Sequence, residues 1–328
     1  MSSLAVLEDL PSGYFVEETP RGILAVHADS ARALHEAGYG PDQDGDLVVS
    51  ELAGRRPLYQ FGPAAPSAAK SFLVRRFSHG GLLRWLTGNR FLSADRPFRE
   101  LILSDALLRA GIQTPRVVAA RAFRDRGGWQ LDVMTCRVEE SIDLGWVLGA
   151  MRRGEVSVPA RHRILEGVGS LVRELHLHGC PHADLQPGNI LVNLSALENE
   201  IPSYWIIDLD RTSRRPELSE AERQSNLARL YRHVARRDEQ HGPSLSRGDA
   251  ARFFRGYDPD GESWRNDWRA VRERYVAGLS WHRMGWLLEK VFGGRRPDPR
   301  STGPGDAPLS ETPLGPRELV NPVERQPD

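Results

Sequence analysis

Lysine is almost absent from this chain of 328 residues. Of its 44 lysines and arginines, only Lys70 and Lys290 are lysines. A function that needs a lysine in the N-terminal half therefore has Lys70 alone, unless an arginine takes its place. Cysteine is equally scarce, with Cys136 and Cys180 as the only two. Two cysteines do not make a disulfide scaffold, and they fit a protein of the reducing cytosol.

The chain also lacks net charge and long apolar runs. Lysine plus arginine and aspartate plus glutamate both number 44, so no overall field favours nucleic acid or an acidic partner. No apolar stretch approaches the roughly 20 residues that span a bilayer. The N-terminus lacks the basic start and apolar run of a signal peptide. We therefore expect a soluble or peripherally attached intracellular protein that binds no nucleic acid.

The most informative segment is His182-Ala-Asp-Leu-Gln-Pro-Gly-Asn189, which is followed by Ile206-Ile-Asp-Leu-Asp210. Asp184 stands five residues before Asn189, and Asp208 ends an apolar run about twenty residues later. This order and spacing are typical of a phosphoryl-transfer loop. In protein kinases the first aspartate takes the proton of the acceptor hydroxyl, and the asparagine and the later aspartate hold magnesium.

The surroundings of this motif weigh against a chance match. A His-x-Asp sequence in a loop can also be a turn or a helix cap, and Asp-x-Asp is common. The apolar runs at 190–192 and 205–207 predict two short strands that bracket the site. We therefore predict a nucleotide-handling site, with a degenerate descendant that keeps the fold without catalysis as the alternative.

The segment before the motif is predicted to be rich in strands. A kinase-like fold needs a glycine-rich hairpin over the nucleotide phosphates, and Gly54 is the best candidate, although an ordinary hairpin turn is equally compatible. A strand that follows has to supply a cation, and Arg75 at its end is preferred over Arg76 and Lys70. Arginine can grip phosphate bidentately but is not equivalent to lysine.

A helix is predicted over residues 96–111, with proline near its start and glycine at its end. Glu100 lies near its beginning, where it can pair with the strand cation as the corresponding glutamate does in kinases. The alternative for Glu100 is simply an acidic residue that favours a helix N-terminus. A second helix, predicted over 160–178, leads into the catalytic loop. His176 and His178 are interpreted as surface residues of that helix.

These patterns predict an α+β protein with the two-lobed protein-kinase-like fold. The predicted boundaries are residues 1–135 for a small β-rich N-lobe, 136–292 for a larger helical C-lobe and 293–328 for a disordered tail. Residues 135–140 would form the hinge between the lobes, where backbone groups meet an adenine ring.

Four segments together resemble the bacterial lipopolysaccharide kinase family, and specifically its 3-deoxy-D-manno-octulosonic acid (Kdo) kinase branch. They are residues 74–82, 96–100, 182–191 and 205–211, and the resemblance covers roughly residues 45–235. The first forty residues and the tail have no counterpart. Two positions depart from protein kinases: Gln186 stands where many have lysine, and Asp210 replaces the glycine of Asp-Phe-Gly.

The resemblance implies ATP-dependent phosphorylation of a Kdo hydroxyl on the lipid A inner core, during lipopolysaccharide biosynthesis. It implies ATP and Mg²⁺ as cofactors, with Asp184 as base and Asn189 and Asp208 as magnesium ligands. Arg75 and Glu100 would position the nucleotide phosphates. A heptose kinase, a small-molecule kinase of the aminoglycoside or choline type, and a non-catalytic pseudokinase scaffold remain alternatives.

A lipid-linked acceptor such as Kdo-lipid A further implies contact with a membrane surface. Residues 77–92 mix apolar and arginine side chains, and such a segment can lie in a headgroup layer. The same composition also describes an ordinary loop and helix packed on the N-lobe. The implied location is the cytoplasmic side of the inner membrane of a Gram-negative bacterium, with peripheral attachment. No protein partner is inferred.

Overall fold

The structure is a computed structural model that describes residues 4–52, 57–78, 90–125, 127–198, 201–261 and 264–276. The N-terminal elements are β1 (Tyr14–Glu18), β2 (Gly22–His27), α1 (Ala28–Glu36), β3 (Tyr39–Gly40), β4 (Gln43–Asp44), β5 (Leu47–Val49), β6 (Leu58–Phe61), α2 (Ser67–Lys70), β7 (Phe72–Arg76), α3 (Arg96–Arg109), β8 (Val117–Asp125) and β9 (Gly128–Cys136). The C-terminal elements are β10 (Ser141–Asp143), α4 (Leu144–Arg153), α5 (Val158–Leu177), β11 (Ile190–Asn193), β12 (Tyr204–Ile206), α6 (Glu220–His241) and α7 (Arg247–Tyr257). Residues 264–276 are also helical.

The N-terminal lobe is built on one antiparallel sheet with the strand order β1-β2-β8-β9-β7-β6-β5. Side chains alternate between its two faces. Ile23 and Ala25 of β2 join the core shared with α3. Leu24 and Val26 join a second core that α1 covers. Both faces of the central strands are therefore buried, which explains their nearly continuous apolar sequence.

The first forty residues extend this sheet by two strands and add helix α1 to its outer face. The interpretation of this stretch as strands and turns was therefore incomplete. The helix begins after His27, whose Nδ1 accepts a hydrogen bond from the backbone N–H of Asp29 at 3.3 Å. Ala31 and Leu34 bury its inner face. With only nine residues, α1 depends on this packing rather than on intrinsic helix stability.

A cluster of charged side chains lies inside this lobe. Arg121 is fully buried and Asp132 is 1% exposed, and the two form an ion pair between the neighbouring strands β8 and β9. Arg121 also donates hydrogen bonds to the carbonyls of Gly40 at 3.1 Å and Gln43 at 2.6 Å, and it pairs with Asp44. The arginine thus fastens the β3–β4 hairpin to the main sheet.

The C-terminal lobe is mainly helical. Its small antiparallel sheet has the order β10-β11-β12, and β11 and β12 are the two short strands expected from the apolar runs at 190–192 and 205–207. Helix α5 is the centre of the lobe, with Ile164, Val168 and Val172 in its core. Among the described residues, no helix is long and apolar enough to cross a bilayer.

Helices α5 and α7 cross at glycines, which brings their backbones into contact. A Cβ at Gly256 would lie 1.8 Å from the carbonyl oxygen of Glu166, and one at Gly169 would lie 2.0 Å from that of Phe253. No real side chain tolerates such distances to a backbone atom. The crossing therefore depends on glycine at both positions.

Replacing Gly256 with alanine should lower the free energy of unfolding by about 1–3 kcal/mol, because the helices must move apart. Chemical denaturation measures this change. Gly248 in the same helix is the matched control, since a Cβ there meets only Ser246 Oγ at 3.6 Å. Gly248→Ala should leave stability unchanged or raise it. Equal effects of the two substitutions would contradict this account of the crossing.

Candidate active site

His182 anchors the loop that contains Asp184. The imidazole is fully buried, its Nε2 donates to the carbonyl of Ile207 at 3.0 Å, and its Nδ1 accepts from the backbone N–H of Asp184 at 3.2 Å. Burial lowers the pKa of His182, and its hydrogen bonds to Ile207 and Asp184 oppose that shift only in part. His182 therefore acts as a neutral anchor for the loop rather than as a base.

The carboxylate of Asp184 is held from two sides but open to solvent. Gln186 Nε2 donates to its Oδ2 at 2.9 Å, and His233 Nε2 lies 4.0 Å from its Oδ1. The side chain is 43% exposed, so an acceptor hydroxyl can reach it. Asn189 Nδ2 donates to the backbone carbonyl of Asp184 at 2.8 Å, which fixes the shape of the loop.

Behind the loop, a chain of hydrogen bonds joins three helices. Tyr257 Oη donates to His176 Nδ1 at 2.8 Å, and His176 Nε2 donates to Asn226 Oδ1 at 3.1 Å. Asn226 Nδ2 then donates to the carbonyl of His182 at 2.8 Å. The interpretation of His176 as a surface residue was wrong, because it is only 4% exposed. The close crossing of α5 and α7 buries it by bringing Tyr257 over it.

The buried His176 should make stability depend on pH. Burial lowers its pKa from 6.5 to about 4 in the folded chain. Below pH 6.5 the unfolded chain binds a proton that the folded chain refuses until about pH 4. The free energy of unfolding should therefore fall by about 3 kcal/mol as the pH drops through this window. Above the window His176 is neutral in both states, so this loss is absent.

Urea denaturation between pH 7 and pH 4 measures this slope. His176→Gln should flatten it, because the substituted side chain does not titrate. His178 is a matched control two positions later, at the C-terminal cap of the same helix, where it is half-buried and bonded through Nδ1 to the carbonyl of Glu174 at 2.9 Å. An unchanged slope in His176→Gln would contradict the assignment.

The structure brings Arg75 and Glu100 together, as their spacing predicted. Arg75 Nη2 lies 2.6 Å from Glu100 Oε1 and also contacts Oε2, and Arg75 Nη1 lies 3.5 Å from Asp208 Oδ1. Burial raises the pKa of Glu100, and the guanidinium opposes that shift. Burial disfavours the charge on Arg75, but the neighbouring carboxylates outweigh it and raise the pKa of Arg75. The guanidinium is therefore a permanent cation at the junction of the lobes.

The two alternatives to Arg75 lie elsewhere. Arg76 is on the opposite face of β7, where it pairs with Asp44 at 2.6 Å. Lys70 ends the short helix α2 before the strand and is exposed. Gly54 lies outside the described residues, as does most of the segment 77–92.

Asp208 and Asn189 lie on neighbouring segments of the chain. The backbone N–H of Ile207 donates to the carbonyl of Asn189 at 3.0 Å, so the two segments run beside each other. Asp208 has φ of 61°, a left-handed conformation that is uncommon outside glycine and frequent at functional sites. The amide nitrogen of Asn189 donates to the backbone carbonyl of Asp184, and its Oδ1 can serve as a metal ligand. One carboxylate and one amide oxygen are donors that Mg²⁺ takes together with phosphate oxygens.

No preassembled cluster of three or more histidine, cysteine, aspartate or glutamate side chains occurs in the described part of the chain.

Three contacts of this site were not expected from the sequence. They are the anchoring of the loop by Asn226, the approach of His233 to Asp184, and an ion pair between Arg96 and Asp210. Asn226 and His233 both lie on α6, seven positions and thus two helical turns apart, on one face. That periodicity was the only available signal, and it does not reveal which neighbour the face meets.

The fold and the arrangement of these side chains define a class of protein, the phosphotransferases with the two-lobed kinase fold. Within that class, the chain belongs to the lipopolysaccharide kinase (Kdo/WaaP) family, whose family model matches residues 43–257. This match confirms the predicted family. The chain is therefore a phosphotransferase whose acceptor is a sugar hydroxyl.

Two curated relatives agree with this assignment. A 3-deoxy-D-manno-octulosonic acid kinase of Actinobacillus succinogenes is 30% identical over 189 residues, which cover 56% of this chain and 74% of the relative. A protein of the same name from Vibrio vulnificus is 29% identical over 204 residues, which cover 61% of this chain and 78% of the relative. A solved structure entitled "WaaP in complex with acyl carrier protein" is 21% identical, with a TM-score of 0.49, and the match covers 82% of this chain and 99% of that one.

Proposed function

We propose that this protein transfers the γ-phosphoryl group of ATP to a hydroxyl of a Kdo residue on the lipid A inner core. The observation that carries the proposal is the junction at Arg75, where the pair with Glu100 from the N-lobe meets Asp208 from the C-lobe. The named relatives are Kdo kinases, and the family match supports the same acceptor. Kdo-lipid A is bound to the membrane, so the reaction takes place at the cytoplasmic surface of the inner membrane.

Each side chain has a part in this proposal that follows from its position. Asp184, open to solvent and oriented by Gln186, accepts the proton of the acceptor hydroxyl. Arg75 holds phosphate oxygens, and Glu100 fixes the direction of its guanidinium. Asn189 and Asp208 hold magnesium, which when bound neutralises charge on the phosphates.

Phosphoryl transfer to defined acceptors tests the proposal. The full chain is incubated with radiolabelled ATP, Mg²⁺ and Kdo-bearing lipid A in detergent, beside lipid A without Kdo, a heptose-bearing core and an aminoglycoside. Label should enter only the Kdo-bearing lipid. Label in the heptose core or the aminoglycoside instead would replace the proposed acceptor. Magnesium-dependent ATP binding without transfer to any acceptor would support a non-catalytic scaffold.

A further inference from the structure

Asp210 and Arg96 form an ion pair between the C-lobe loop and the first turn of α3. Arg96 Nε lies 3.1 Å from Asp210 Oδ1, and Arg96 Nη2 contacts Oδ2, so the guanidinium engages both carboxylate oxygens. The side chains are 24% and 18% exposed. The pair joins residues that are 114 positions apart, and it occupies the position where Asp-Phe-Gly of protein kinases has a glycine without a side chain.

Aromatic rings hold Arg96 in this orientation. Its guanidinium lies 4.9 Å from the ring centroid of Phe91 and 5.2 Å from that of Phe77. These rings are 5% and 2% exposed and pack edge to face. Arg75 contacts the same Phe77 ring at 4.6 Å. Surface ion pairs contribute little because their side chains are free to move, whereas this arginine is already oriented.

Arg96 lies on the same face of α3 as Glu100, so its ion pair with Asp210 helps to fix the position of this helix. Arg96 and Glu100 are four positions apart on α3 and therefore share one face of the helix. Asp208 and Asp210 lie on the facing loop. Arg75 bridges Glu100 to Asp208, and Arg96 joins Asp210 directly. Helix α3 is thus attached to the metal-binding loop at two neighbouring points.

We propose that Arg96 and Asp210 are positioning residues that hold α3 in the orientation in which Glu100 reaches Arg75. This inference rests on the proposed function, in which Arg75 and Asp208 bind the nucleotide and its cation. The competing role for Asp210 is that of a second magnesium ligand. The geometry favours positioning, because both oxygens of its carboxylate face the guanidinium.

A charge exchange separates the two roles. Arg96→Asp and Asp210→Arg should each weaken Mg·ATP binding by about tenfold to a hundredfold, as expected for loss of a charged hydrogen-bonded pair. The double variant restores an ion pair of opposite direction and should recover most of the lost affinity. Binding is measured by calorimetry on the full chain, with the Mg²⁺ concentration for half-saturation determined separately. Arg99→Ala on the same helix is the control, since its pair with Asp95 is largely exposed.

The outcomes are distinct. Recovery in the double variant with an unchanged Mg²⁺ requirement supports positioning. A double variant that folds but stays as weak as Asp210→Arg, with a raised Mg²⁺ requirement, makes Asp210 a metal ligand and overturns the inference. If single variants unfold, Arg96→Lys keeps the charge and loses the bidentate contact, and wild-type affinity in that variant would also overturn it. ATP binding needs no acceptor, so a wrong acceptor sugar would leave this result intact.

Discussion

Replacing Asp184 with asparagine should lower kcat for phosphoryl transfer by about 10²–10⁴-fold, the range that general base catalysis contributes. The amide keeps the size of the carboxylate but cannot accept the proton of the acceptor hydroxyl. Affinity for Mg·ATP should remain nearly unchanged, because Asp184 contacts Gln186 and His233 rather than the Arg75–Glu100 pair. Single-turnover kinetics with radiolabelled ATP, combined with a nucleotide-binding titration, measures both quantities.

Gln186→Ala provides the comparison for this prediction. Gln186 orients one oxygen of the base through a hydrogen bond from its amide to the carboxylate, so its loss should cost about tenfold. The expected order is therefore a small loss in Gln186→Ala and a much larger one in Asp184→Asn. Full turnover by Asp184→Asn would remove Asp184 from the role of base.

The local parts of this site could be predicted because each carries its own spacing. The catalytic loop is contiguous, and the order of Asp184, Asn189 and Asp208 is visible in the sequence. Arg75 could be selected because lysine is so scarce that Lys70 was its only lysine competitor nearby. The positions of Arg75 and Glu100, on a strand end and in the first turns of the next helix, were enough to predict that they meet.

Contacts between residues that are far apart in the sequence leave no such recognisable pattern. The pair of Arg96 with Asp210 spans 114 positions, and either residue alone is compatible with a solvated surface. His176 lies on a helix whose pattern did not reveal the glycine crossing that buries it. Helix α1 was missed because its nine residues are fewer than the roughly 11–18 over which a helical period is read with confidence.

The sequence likewise does not reveal the buried ion pair between Arg121 and Asp132, although this pair has a large effect on stability. Both residues lie on strands in which charged side chains are normally exposed. In the folded chain neither has more than 1% of its side chain exposed, because the β3–β4 hairpin covers them. The hairpin therefore encloses a pair of charges that would otherwise be in water.

Asp132→Asn should lower the free energy of unfolding of the N-terminal lobe by about 3–5 kcal/mol. This is the cost of leaving the buried charge of Arg121 without its partner. Asparagine preserves the volume, so the loss reflects the charges of Arg121 and of Arg76, whose Nε lies 3.7 Å from Asp132 Oδ1. Asp44 remains a carboxylate partner of both arginines. Urea denaturation followed by tryptophan fluorescence measures the effect. Glu36→Ala removes an exposed pair with Arg32 and should cost less than about 1 kcal/mol.

A second comparison distinguishes the ion pair from simple packing at the same place. Replacing both partners with apolar residues, Arg121→Met together with Asp132→Leu, removes both charges and should destabilise the lobe less than Asp132→Asn alone. If the double variant is the less stable of the two, the hairpin contacts of Arg121 matter more than its charge. If Asp132→Asn costs no more than Glu36→Ala, the pair is effectively solvated and the hairpin does not enclose it.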